Sequence, residues 1–114
     1  MDSNAKRELQ SQYKEREIVG GVYLVRNMRS GKLLLEATKD LQGSRNRFEF
    51  AQKTGSCVYA KLQKDWPEYG SEAFVFEALE ELPKGETQTD KEFKADIDLL
   101  KEMWLEKLSG EALY

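Results

Sequence analysis

The sequence contains no histidine, a single cysteine (Cys57) and two prolines in 114 residues. Without histidine, the usual neutral-pH acid–base and the commonest metal ligand are both missing. One cysteine excludes an intrachain disulfide and every multi-cysteine zinc site. No stretch approaches the roughly 18 apolar residues that suggest a membrane span. The first residues, Met1 to Arg7, are polar and charged, with no apolar run behind them of the kind a secretory leader carries. The default expectation is therefore a cytoplasmic chain with no membrane partner.

What is present is an ordinary globular composition for one modest core. Hydrophobic residues make up 39% and charged residues 34%, with aromatics spread along the whole length. The net charge of −3 conceals a segregation. Arg26 to Lys64 holds nine basic and three acidic residues, a net +6, whereas Asp65 to Tyr114 holds five basic and fourteen acidic ones, a net −9. A basic middle on an acidic protein fits a phosphate-facing surface, and it equally fits a solvated surface with no partner.

Hydrophobic spacing supplies the element order. Ala5, Leu9 and Tyr13 recur every four residues, so a thinly apolar helix is expected over residues 4–17. Gly20-Gly21 ends it, and β-rich runs near residues 21–27 and 32–37 flank the turn Arg29-Ser30-Gly31, which reads as a hairpin. Asp40 or Ser44 caps a helix carrying Phe48 and Ala51 that stops near Gly55. Val58 and Leu62 suggest a second helix over 57–66, closed by Pro67 and Tyr69-Gly70. A third strand follows near 73–80. The last helix carries Phe93, Ile97, Leu100, Trp104 and Leu108 at three- and four-residue spacing, with Asp90 as its expected N-cap and Ser109-Gly110 as its stop. The fold class is α/β (α+β): a small three-stranded sheet flanked by helices, with an extra N-terminal helix. Three parts are expected, namely a helical extension over 1–19, the domain over 20–109 and a tail over 110–114.

That order, with its residues, resembles the GIY-YIG nuclease family. Gly21-Val22-Tyr23 is similar to the family's first signature on the first strand, and Leu34-Leu35-Glu36 occupies the place of the second. Lys61-Leu62-Gln63-Lys64 and the stretch Tyr69 to Glu80 resemble the approach to the third strand and the strand itself. Met103 to Leu108 resembles the end of the last helix, and the likeness covers roughly residues 20–108.

The resemblance implies phosphodiester cleavage by a divalent metal and water, with two tyrosines, an arginine and a glutamate at the site. Tyr23 matches the first tyrosine, and Arg45 or Arg47 supplies the arginine. Tyr23 also fits a plain strand aromatic packed on the core, and both arginines fit solvated helix positions. Elsewhere the pattern breaks. Leu34 replaces the second tyrosine and has no proton to move. Glu36 replaces the glycine and puts negative charge where a phosphate approaches. Cys57 falls near the family's histidine and reads as a small apolar filler. Lys101 stands where the metal-binding glutamate is expected, and an ammonium has no lone pair for a cation.

The family geometry further implies a Glu36–Lys101 ion pair across the old site. The expectation is a degenerate domain without metal ligands or cofactor, leaning away from enzyme activity. It would bind DNA or RNA, or a protein partner, with Lys39, Arg45, Arg47, Lys61 and Lys64 on one face with Tyr23. The alternatives are a metal-dependent endonuclease, using Mg2+ or Mn2+ held by Glu36 or Glu102, and a purely structural interaction domain using the acidic half.

Overall fold

The computed structural model describes residues 18–114, and the helix expected over 4–17 lies outside the described residues. Three strands, β1 (Val19–Asn27), β2 (Leu33–Thr38) and β3 (Phe74–Pro83), form one sheet in the order β2-β1-β3 with both pairings antiparallel. Helix α1 (Leu41–Thr54) follows the hairpin, a five-residue helix α2 (Asp65–Tyr69) precedes β3, and α3 (Asp90–Lys107) closes the chain's helical part.

β1 is the central strand and is buried almost throughout. Gly20 lies within it along with Gly21, so the strand starts before the expected residue 21. At Gly21 φ is +152°, and a Cβ there would collide with the carbonyl oxygen of Glu80 on β3. A Cβ on Gly20 would come within 2.8 Å of the side chains of Ile97 and Phe93. The paired glycines therefore let β3 close on one side and α3 settle on the sheet. The hairpin turn is organised by Asn27, whose Oδ1 accepts from the backbone N–H groups of Arg29 (2.9 Å) and Ser30 (3.1 Å).

Side chains alternate across the strands, so the sheet has two distinct faces. On one, Tyr23, Val25, Leu34, Phe74 and Phe76 pack with Leu41, Phe48 and Ala51 of α1 and with Leu62 and Trp66. Tyr23 stacks on Phe76 with ring centroids 4.4 Å apart, and Trp66 stacks on Phe74 at 4.8 Å. On the other, Val22 and Leu35 meet Leu100 of α3, with Trp104 and Leu108 half-buried beside them.

Helix ends follow local chemistry. Asp40 caps α1 by accepting from Gly43 N–H at 3.1 Å, and Gly55 ends it in the left-handed conformation. α3 is capped by Thr89, one residue before the expected Asp90. Thr89 Oγ1 accepts from Glu92 N–H while the Glu92 carboxylate accepts from Thr89 N–H, a reciprocal capping box that Asp90 cannot make with this spacing. The helix expected over 57–66 does not form. Only a single 3-10 turn (Ala60–Leu62) and α2 occur there, with Val58 exposed and Pro67 inside α2.

The last residues return to the sheet. Leu33 N–H donates to the Ala112 carbonyl (2.9 Å) and Tyr114 N–H to the Leu33 carbonyl (2.8 Å). The Tyr114 hydroxyl donates to Asp65 (2.7 Å) and accepts from the side chain of Asn27 (3.0 Å). Residues 112–114 thus cover the start of the β2 edge, which would otherwise present unpaired backbone groups.

Candidate functional site

The polar groups buried on the α1 face converge on Tyr23. Its ring is packed, being only 5% exposed, and its hydroxyl points toward the N-terminal half of α1. Ser44 occupies an inward position of α1, where periodicity calls for an apolar residue, and is fully covered. Its hydroxyl donates to Thr38 Oγ1 at 2.8 Å, tying α1 to the end of β2. Arg47, one turn further along, reaches back with Nη2 to Ser44 Oγ at 3.4 Å. From the loop after α1, Tyr59 brings its hydroxyl to 3.5 Å from that of Tyr23, a contact at the outer limit of hydrogen bonding. Tyr23, Ser44, Arg47, Val58 and Tyr59 line a cavity of about 100 Å³.

Both phenols resist ionisation. Burial, above all, raises the Tyr23 pKa above its ordinary value of 10.0, and the nearby Glu36 carboxylate adds to this. Tyr59 is pushed up further by the same burial and by its contact with Tyr23, while Arg47 opposes the shift at both rings. At neutral pH the cavity therefore presents two phenolic O–H groups, a serine hydroxyl and a guanidinium. Such a set donates hydrogen bonds to an anion.

Helical phase separates the two arginines. Arg47 faces the cavity. Arg45 lies on the opposite flank of α1 with its guanidinium 4.8 Å from the Phe76 ring centroid. Leu34 is buried in the apolar cluster on the Tyr23 face. Glu36, half-buried, is the cross-strand partner of Tyr23. Lys61 and Lys64 are exposed beyond Tyr59, and Lys39 lines a different cleft, at the start of α1, with Lys84 and Asp90. Cys57 is half-buried; its thiol donates to the Tyr59 carbonyl at 3.2 Å, and burial raises its pKa.

Lys101 is half-buried on α3, whose apolar stripe packs on the sheet face opposite Tyr23. The expected Glu36–Lys101 ion pair is absent. The ion pairs among the described residues are Arg26–Glu77, Lys84–Asp90 and Lys94–Asp98. The sheet separates the α3 stripe from the side on which Glu36 stands beside Tyr23.

The donor set does not suit a resident divalent metal. Among the described residues no three Asp, Glu, Cys or His side chains converge. Glu36 is the one carboxylate acting on the two phenols, and it shares that neighbourhood with Arg47. Two members of the cavity, Ser44 and Tyr59, were not among the site residues expected from the sequence. A serine among apolar helix positions was a usable signal for the first; a loop tyrosine offers none.

No family model matches the chain, and no curated protein matches it in sequence. Among solved structures, a point mutant of the catalytic domain of the intron endonuclease I-TevI is similar with a TM-score of 0.58 and 23% identity. It covers 81% of this chain and 86% of that one. A second structure of that homing endonuclease's catalytic domain gives a TM-score of 0.57 and 22% identity, over 79% and 88%. Among the described residues no helix is long and apolar enough to cross a membrane. With its three antiparallel strands and flanking helices, the chain has the GIY-YIG-like fold of the I-TevI catalytic domain.

Proposed function

We propose that this domain binds nucleic acid through its phosphates and has lost metal-dependent cleavage. The observation that carries the reading is the cavity formed by Tyr23, Ser44, Arg47 and Tyr59, a cluster of hydrogen-bond donors beside one guanidinium. An anionic phosphate oxygen would accept from both phenols, whose own contact is too long to satisfy either well. Arg47 would supply the charge that steers and holds it. Loss of cleavage is supported by three features together. By the resemblance Leu34, which fills the core, takes the place of a second tyrosine and Lys101 that of the glutamate, and the two phenols at the cavity are held protonated and so are poor bases.

The test combines binding and turnover. Labelled DNA and RNA should bind at low salt, with affinity falling steeply as salt rises. Replacing Arg47 should weaken binding to every sequence about equally, because phosphate contacts carry little sequence information. Incubation with magnesium or manganese should give no more cleavage than a chelator control, and Lys101→Glu alone should not change that. Glu36, paired across from Tyr23, supports one competing reading, a rebuilt metal site. Metal-dependent cleavage abolished by both Glu36→Gln and Tyr23→Phe would establish that reading instead.

A further inference from the structure

Phe50 is 65% exposed, more than any other large apolar side chain among the described residues, and it is the only aromatic ring among those that are exposed. The core does not use it, since α1 buries Leu41, Ser44, Phe48 and Ala51. It follows Arg47 by three residues and so sits one turn away on the same flank of the helix. The loop from Gly55 to Tyr59 returns along that flank and places Val58, itself 50% exposed, on the wall of the cavity beside Arg47. An exposed aliphatic group thus lines the cavity of hydrogen-bond donors, and an exposed ring stands one helical turn from its arginine. The helix carries three cations, Arg45, Arg47 and Lys53, against one carboxylate, Glu49.

A base is joined to its phosphate through one sugar, so a ring one helical turn from a phosphate site is within reach of the same nucleotide. In a duplex the faces of the bases are stacked on one another and hidden. In a single strand they are free, and an aromatic side chain becomes a stacking platform. We propose that this flank of α1 holds an unpaired nucleotide, with its phosphate at Arg47, Tyr23 and Tyr59 and its base stacked on Phe50 against Val58. The proposal rests on the phosphate-binding reading and narrows its ligand to single-stranded nucleic acid.

The experiment compares binding, at one low salt concentration, of a labelled single strand, the same strand in a duplex, and an abasic strand of equal length, in DNA and RNA forms. The wild-type chain should prefer the base-bearing single strand in at least one form. Phe50→Ala should weaken that binding by roughly 5- to 150-fold while leaving the duplex and the abasic strand unaffected. Phe50→Trp should retain it. Because Phe50 is outside the core, both variants should keep wild-type thermal stability, which is measured alongside. Equal affinity for single strand and duplex, or no loss in Phe50→Ala, overturns the stacking proposal. The phosphate reading survives that outcome if Arg47→Ala still weakens all ligands, whereas no binding of any ligand by the wild-type chain overturns both.

Discussion

The two faces of the sheet are built from the same three strands and are covered by different kinds of chemistry. Under α3 the contacts are apolar: Val22 and Leu35 against Leu100, with Phe93 and Ile97 brought close by the missing side chain at Gly20. Under α1 the packing is interrupted by hydroxyls and a guanidinium. Ser44 occupies a core position, and two phenols face each other at 3.5 Å without a good mutual hydrogen bond. The α3 face holds the fold together. The α1 face carries the candidate site.

That contrast breaks most visibly at Phe93, which is 1% exposed. Phe93→Ala should cost about 3–5 kcal/mol in urea or thermal unfolding. Nucleic-acid affinity per folded molecule should be unchanged, and a specific loss of affinity would mean that α3 contributes to the site. Next in size is the pair of arginines. Arg47→Ala should weaken nucleic-acid binding by roughly tenfold or more, as expected for a lost charge-assisted hydrogen bond, and reduce the salt slope by about one. Arg45→Ala should leave affinity alone and lose about 0.5–1 kcal/mol of stability with its contact to Phe76. The reverse pattern in the two variants would assign the site to the other flank of α1.

A smaller effect sharpens the α3 side. Thr89→Ala removes the N-cap and should destabilise by about 1 kcal/mol, whereas Asp90→Ala should matter less. Smallest at neutral pH, and confined to alkali, is the effect of the phenols. Their folded pKa values are raised above 10.0, so the unfolded chain loses these protons first. The associated stability is fully present below pH 10 and is lost as pH rises through the folded values. Urea unfolding at neutral and alkaline pH should show this fall, and the Tyr23→Phe, Tyr59→Phe double variant should show less of it. An unchanged alkaline slope would mean that the phenols are not shielded as the geometry implies.

Legibility in the sequence followed how local the controlling interaction is. The hairpin was readable because Arg29-Ser30-Gly31 separates two apolar runs, and α1 because Asp40 and Gly55 are strong end signals. The α3 stripe was readable from Phe93, Ile97 and Leu100, all of which are buried. Where two neighbours both favour a cap, as Thr89 and Asp90 do, the reciprocal bond with Glu92 decides, and the three-residue spacing from Thr89 to Glu92 was the signal for it in the sequence. The failure over 57–66 has a different origin. Val58 and Leu62 match helical spacing, yet Leu62 is buried and Val58 exposed, because the loop turns to send Tyr59 toward Tyr23.

By itself, the sequence determined most of the element types, the apolar stripes and the charge segregation, because each depends on residue identity or short-range periodicity. Only the tertiary structure decided that Arg47 and not Arg45 meets Tyr23, that Tyr59 joins them from a loop, and that Glu36 and Lys101 form no ion pair. Those outcomes depend on the rotation of α1 about its own axis, on the path of the loop after it, and on which face of the sheet each helix covers. All three are settled by packing between residues distant in the chain, which spacing along the sequence does not encode.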